Sequence, residues 1–238
     1  MSLERAVQIP PLLRAALEAR GEKIVGRKIG FTNREMWKMY GVSSPNWGYV
    51  TDRTVRELTS TRVMPLEHFL EPRIEPEIIF GLKAAPSRDM TEAALLDCIE
   101  WLSLGYEIVQ SIFPGWKFTA ADTVAANAMH GALLVGPHHA FAPRKTEWQR
   151  ELASLEVELY CNGTLSQRGG GLLVLGSPLH ALRHLVELLA EDARSSPLRP
   201  GDIISTGTLT LAMAVGAGET WTTRAFGIPL EGITLQFE

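Results

Sequence analysis

The sequence predicts an α+β domain built on a mixed, strongly curved β-sheet with flanking helices. Strand-like segments far outnumber helical ones. Glycine and proline pairs such as Pro200-Gly201 and Gly216-Ala-Gly218 punctuate the strands. One stretch, Leu155-Glu-Val-Glu-Leu-Tyr-Cys-Asn-Gly163, alternates at period two and ends in the Asn-Gly pair that favours a tight hairpin turn.

In chain order, residues 10–21 predict an amphipathic helix with Leu12, Leu13, Ala16 and Leu17 on one side and Gly21 as its stop. Lys23–Gly30 predicts a strand, Thr32–Met39 a short helix closed by Gly41, and Pro45-Asn-Trp-Gly48 a turn. Strands are expected near 47–51, 62–65 and 73–82. A helix over 91–103 follows, opened by Thr91 with Glu92 in its first turn. Further strands are expected at 104–110 and 130–136. Pro178–Ala190 predicts a helix with Leu179, Leu182, Leu185, Val186 and Leu189 inward, and strands near 202–206, 220–225 and 233–237 complete the chain. The expected division is an N-terminal helical or small α+β region over 1–60 that contributes to the site, and a β-rich catalytic core over 61–238. A single domain over 1–238 is the alternative.

Composition narrows the function classes. The 45% apolar and 21% charged content is that of an ordinary globular protein, and a formal charge of −4 offers no basic footprint for nucleic acid. No apolar run approaching a membrane span is expected, and Met1-Ser-Leu-Glu-Arg5 lacks the apolar core of a secretory signal. Cys98 and Cys161 form no CxxC, which argues against a disulfide framework or a zinc site. A cytoplasmic enzyme is the expected class. Gly169-Gly-Gly171 lacks the Lys-Ser/Thr of a phosphate-binding loop. His138-His139 lies in a Pro/Ala loop, and His180 and His184 have no third soft ligand.

The most informative residues are Glu75 and Glu77 in Glu71-Pro-Arg-Ile-Glu-Pro-Glu-Ile-Ile-Phe80. On a strand they point to one side, with Ile74, Pro76, Ile78 and Phe80 opposite. Side-by-side anions repel unless water or a cation screens them, and a hard divalent cation takes oxygen ligands of this kind. The competing reading is a solvated strand face. Glu107 interrupts the apolar strand Leu104-Gly-Tyr-Glu-Ile-Val109, where an unpaired charge would be expensive. An arginine such as Arg73 could satisfy it instead.

Several further segments occur in one order over residues 26–210: Gly26-Arg-Lys-Ile-Gly-Phe-Thr32, Trp116-Lys-Phe-Thr119, Asp122-Thr-Val-Ala-Ala-Asn127, Val174-Leu-Gly-Ser-Pro-Leu179 and Gly201-Asp-Ile-Ile-Ser-Thr-Gly-Thr-Leu-Thr210. With the Glu75–Glu77 and Glu107 segments, the chain resembles the fumarylacetoacetate hydrolase superfamily, in its 2-oxopent-4-enoate hydratase and 4-oxalocrotonate decarboxylase branch. The resemblance implies that superfamily's curved sheet, or β-roll. It makes Glu75, Glu77 and Glu107 ligands for Mg²⁺ or Mn²⁺, with Lys28 as a pocket lysine. It assigns Asp122 and Asn127 to the pocket region beyond the metal, and Thr208 to the substrate carboxylate after Thr206 and Gly207. Lys117 and Arg73 are further substrate-binding candidates, and Ser177 opens a helix whose N–H groups could face an anion. Lys117 is equally readable as a surface residue, and Asp122 as a helix cap.

The chain departs from the family pattern at Ser44 and Asn46, where relatives carry acidic residues, and at Glu71, often His or Gln. An amide at Asn46 can orient water but cannot take its proton. Pro76 removes a ladder hydrogen bond and predicts a strand edge or start. The expected activity is metal-dependent hydration of a 2-hydroxy-2,4-dienoate to a 4-hydroxy-2-oxo acid in aromatic-compound catabolism. Asn46 is counted with Lys28 and Asp122 among the catalytic candidates. The alternatives are decarboxylation of a 4-oxalocrotonate-like diacid, carbon–carbon hydrolysis of an acylpyruvate, or a silent relative that only binds a 2-oxo acid. Hydrolysis would want a histidine–glutamate pair, for which the sequence offers no convincing histidine. The resemblance also implies a homo-oligomer, with no membrane or nucleic-acid partner.

Overall fold

A computed structural model describes the backbone of residues 1–238 and every side chain except those at 39 and 40. The strands are β1 (Ile24–Gly30), β2 (Asn46–Thr51), β3 (Val55–Glu57), β4 (Val63–Met64), β5 (Arg73–Leu82), β6 (Ile99–Val109) and β7 (His130–Val135). They continue as β8 (His139–Ala140), β9 (Glu156–Cys161), β10 (Thr164–Gly170), β11 (Ile203–Thr208), β12 (Met213–Ala214), β13 (Thr220–Phe226) and β14 (Ile233–Phe237). One mixed sheet of nine strands runs β2-β1-β11-β5-β6-β7-β3, with β12 on β5 and β8 on β6. A second sheet runs β10-β9-β13-β14-β4.

The long antiparallel pair β5–β6 forms the middle of the large sheet. Its back face, Ile74, Ile78, Phe80, Leu102, Leu104, Tyr106 and Ile108, belongs to the main core. Helix Pro178–Glu191 packs into that core through Leu179, Leu182, Leu185, Val186 and Leu189. The segment Gly171–Glu191 is apolar and long enough to cross a membrane by composition, contrary to the expectation above. Its apolar stripe faces the core, and His180, Arg183, His184 and Glu187 lie between the stripe residues. The front face of the sheet carries the acidic residues and ends in a small cluster of Val50, Ile79, Leu133 and Val135.

Three local expectations need correction. The helix expected over 91–103 ends at Asp97, and β6 begins at Ile99, because Leu102, Leu104, Tyr106 and Ile108 repeat at period two. Pro45-Asn-Trp-Gly48 is not a turn: β2 begins at Asn46. Pro76 lies inside the central strand rather than at an edge. Its carbonyl accepts from Leu209 N–H at 2.8 Å, so its missing N–H would point to the same side, where the β11 register shifts between Ser205 and Thr208. A bulge there leaves no regular ladder bond for proline to break.

Strand β1 joins β11 in parallel, with Lys28 opposite Ser205. At that joint a Cβ on Gly26 would meet the Ile203 carbonyl oxygen at 1.9 Å, and backbone cannot step aside. Gly26→Ala is therefore expected to lower unfolding stability by at least about 2 kcal/mol, measured by denaturant titration.

Candidate metal centre

The register of β5 and β6 sets Glu75 directly opposite Glu107, and alternation puts Glu77 on the same face. Carboxylate oxygens of the three lie within 4.8 Å of one another. Glu77 and Glu107 are fully buried, while Glu75 keeps partial exposure toward a cleft. The β11 bulge supplies donors to Glu77. Ser205 Oγ and the Gly207 N–H, at 2.8 Å, both donate to its Oε2. Gly207 has φ +99°, and a Cβ there would lie 2.0 Å from Thr32 Oγ1, so only glycine fits.

Glu107 is held from two sides. His130 Nδ1 lies 2.8 Å from its Oε1, and Lys28 Nζ makes an ion pair with its Oε2 at 3.1 Å. The other ring nitrogen of His130 lies 2.9 Å from Thr54 Oγ1. Sequence reading missed this histidine, whose role depends on sheet register rather than on any local motif. With both nitrogens engaged behind the carboxylate, it orients a candidate ligand and is not free to activate a water.

Lys28 is 4% exposed, and Nζ also donates to the Ala128 carbonyl at 2.9 Å. Burial lowers its pKa, but Glu107, Glu75 and Glu77 outweigh burial and hold it above the ordinary lysine value. It is therefore an ammonium at neutral pH. Glu107 is raised by burial but lowered further by Lys28 and His130, and stays ionised. Burial, with Glu107 nearby, raises Glu75 to about 7 despite Lys28. Burial and both neighbouring carboxylates push Glu77 well above the ordinary range. Among the described residues Glu77 Oε1 is buried and accepts no hydrogen bond, and Glu107 Oε2 has only the Lys28 ammonium. Three carboxylates against one ammonium leave two negative charges. That donor set fits a hard divalent cation.

The cleft over the carboxylates encloses about 740 Å³ including its mouth. Phe31, Met36, Val109, Trp116, Phe118 and Leu211 give it apolar walls, and Lys28 is its only lysine or arginine among the described residues. Trp116 is held from outside. Its indole N–H donates to the Glu71 carbonyl at 3.0 Å, the Glu71 carboxylate accepts from Gly115 N–H at 2.8 Å, and Arg73 lies 4.1 Å over its ring. Asn46 lines the cleft: Nδ2 donates to Thr123 Oγ1 at 2.9 Å, and Oδ1 is buried without a partner.

The other expected site residues separate. Asp122 closes a capping box with Thr119 at the start of helix Ala120–Ala125 and does not line the cleft. Asn127 clamps the Tyr49 backbone instead of facing substrate. Ser177 caps helix Pro178–Glu191, and Lys117 is exposed; neither lines the cleft. Thr206 Oγ1 donates to the Ile78 carbonyl at 2.7 Å and ties β11 to β5. Arg73 reaches the site through Trp116 and the field it exerts on Glu75. Thr208 and Gly207 do line the cleft, but the Thr208 hydroxyl donates to the Thr210 carbonyl at 3.0 Å, within its own turn.

The family profile described as fumarylacetoacetate (FAA) hydrolase C-terminal matches residues 47–233. The chain is 30% identical over 234 residues to a 2-hydroxyhexa-2,4-dienoate hydratase of Comamonas testosteroni, covering 98% of this chain and 84% of that one. It is 35% identical over 191 residues to a 2-hydroxypent-2,4-dienoate hydratase of Pseudomonas putida, covering 79% and 83%. The solved 4-oxalocrotonate decarboxylase from Pseudomonas putida G7, complexed with magnesium and adipate, superposes with a TM-score of 0.88 at 28% identity, covering 100% of this chain and 87% of that one. The chain belongs to the fumarylacetoacetate hydrolase family.

The raised carboxyls make the metal-free protein sensitive to pH. A carboxyl with a folded pKa above its ordinary 4.5 stabilises the fold below that value, and this contribution is lost as pH rises. For Glu75 the loss runs from about 4.5 to about 7. Metal-free protein should therefore lose melting temperature over that range, and Mn²⁺ should restore it most at the upper end, with proton release measurable by calorimetry in buffers of different ionisation heat. Glu75→Gln and Glu107→Gln should each weaken Mn²⁺ binding by at least about tenfold.

Proposed function

We propose that this chain is a divalent-metal-dependent hydro-lyase that adds water to a 2-hydroxy-2,4-dienoate, giving a 4-hydroxy-2-oxo acid in aromatic-compound breakdown. The observation that carries the reading is the buried triad Glu75, Glu77 and Glu107, two charges short of balance, at the foot of an apolar cleft with one ammonium. Mg²⁺ or Mn²⁺, held by the three glutamates, supplies Lewis acidity toward the carboxylate and 2-oxo oxygens of a substrate.

The residues of the chain then divide the work. Lys28 stays charged and presents N–H to substrate oxygen, so it holds or donates a proton and does not act as a free amine base. Asn46 is a cleft residue whose Oδ1 is buried and unpartnered, so a water admitted beside it would find an acceptor for one of its hydrogens. Thr123 donates its own hydroxyl hydrogen to the Ala120 carbonyl, which leaves its oxygen to accept from Asn46 Nδ2 and fixes which end of the amide is the free acceptor. Phe31, Trp116, Phe118 and Leu211 match the hydrocarbon chain of a dienoate and exclude bulk water around it.

A diacid decarboxylase is the second reading, favoured by Asn46, because loss of CO₂ needs no base for water. The cleft argues against it on charge: it offers a distal carboxylate neutral groups such as Thr32, Asn33 and Thr210, but among the described residues no second lysine or arginine. Acylpyruvate hydrolysis is disfavoured because His130 is engaged at both nitrogens. A silent binder would keep the metal and ligand binding without turnover.

With Mn²⁺, 2-hydroxypenta-2,4-dienoate should lose its dienol absorbance and yield a product heavier by one water. The kcat/KM should exceed that for the corresponding six-carbon diacid by at least about tenfold. Release of CO₂ from the diacid without hydration of the monoacid would overturn the reading. Asn46→Asp should raise the hydration rate, because an ionised carboxylate can take the proton the amide cannot.

A further inference from the structure

The turn that follows helix Ala120–Ala125 is unlike any other in the chain. Asn127, Ala128 and Met129 have φ of 54°, 51° and 64°, three consecutive residues in the left-handed region. No other positive-φ run exceeds two residues, and each of those pairs includes a glycine. Asparagine tolerates this conformation, but alanine and methionine adopt it only where surrounding contacts enforce it.

At its far end the turn is held by the Gln110 N–H on the Met129 carbonyl at 2.9 Å, and at its start by the Asn127 amide. Its Oδ1 accepts from Tyr49 N–H at 2.7 Å and its Nδ2 donates to the Tyr49 carbonyl at 2.9 Å, as a neighbouring strand would. The turn lies so close to β2 that a Cβ on Gly48 would fall 2.3 Å from the Asn127 carbonyl oxygen. What the turn delivers is the Ala128 carbonyl, 2.9 Å from Lys28 Nζ. An ammonium has three N–H groups. With one on Ala128 and the charge drawn to Glu107 at 3.1 Å, the remaining side of Nζ faces the cleft.

We propose that Asn127 is a positioning residue: by clamping the strained turn to β2 it sets the Ala128 carbonyl that, together with Glu107, fixes the Lys28 ammonium at the edge of the cleft where a substrate would meet it. Asn127 itself touches no substrate. The inference rests on the role given to Lys28 above.

The test uses the full chain and the variants Asn127→Ala, Asn127→Asp and Gly48→Ala. Asn127→Ala should lower kcat by at least about tenfold while KM moves less than about threefold. Asn127→Asp keeps the acceptor for Tyr49 N–H and should fall between. Gly48→Ala pushes the turn off β2 from the other side and should reproduce the loss. Mn²⁺ affinity, followed by electron paramagnetic resonance, should stay within about threefold, because Ser205, Gly207 and His130 still orient Glu77 and Glu107. In metal-free protein the ammonium of Lys28, the only buried lysine among the described residues, should give a slowly exchanging ¹H–¹⁵N signal. That signal, assigned by its absence in Lys28→Ala, should broaden or vanish in Asn127→Ala. Wild-type kcat with an unchanged ammonium signal would overturn the proposal. So would a parallel collapse of Mn²⁺ binding and melting temperature, which would make Asn127 a general structural residue. If the wild type hydrates no dienoate, the hydratase reading fails, and the ammonium signal alone decides the positioning.

Discussion

Three buried carboxylates facing one ammonium are the constraint around which the front of this sheet is organised. At 4.8 Å and an effective dielectric of about 20, each pair of ionised carboxylates repels by about 3 kcal/mol, so three pairs cost about 10. The Lys28–Glu107 ion pair at 3.1 Å returns about 5 on the same scale. The shortfall must be met by protons or by a cation. Protons meet it in the metal-free chain, where Glu75 and Glu77 hold theirs far above the ordinary range. The bulge in β11, the glycine at 207, Ser205 and His130 all serve to fix carboxylate oxygens that then repel one another. Such a costly arrangement fits a cation site far better than a scaffold.

The second constraint is backbone strain, concentrated around the same cleft. Phe31, Trp116, Ala128 and Met129 all line it with positive φ, at roughly 1 kcal/mol or more each for residues with a Cβ. Tertiary contacts hold them there: the Asn127 amide on β2, and the Glu71 carboxylate and carbonyl on Gly115 and Trp116. Glu71 fastens an aromatic wall from outside. The cleft is thus shaped by anchors, Asn127, Glu71 and Gly115, that lie outside its lining.

How much of this was legible in the sequence follows from which signals are local. Alternation placed Glu75 and Glu77 on one face, and the strand bounds of 73–82 matched β5 because Arg73–Leu82 carries that pattern throughout. The Asn162-Gly163 hairpin was equally local. Glu107 was readable as a charge inside an apolar strand. His130 was not, because its value comes from standing beside β6 in three dimensions. Asp122, Ser177 and Asn127 were drawn into the expected site by motif position, yet each proved to cap or clamp backbone. Short polar side chains next to helix ends serve local backbone groups as readily as ligands, and sequence does not separate the two uses.

The most direct test of the account is anomalous diffraction from crystals of this chain grown with Mn²⁺. One strong peak is expected at the foot of the cleft, with an oxygen of each of Glu75, Glu77 and Glu107 at about 2.2 Å and the remaining positions open to water or a 2-oxo acid. A protein that binds no Mn²⁺ at millimolar concentration and neutral pH, with the three carboxyls sharing protons instead, would contradict it.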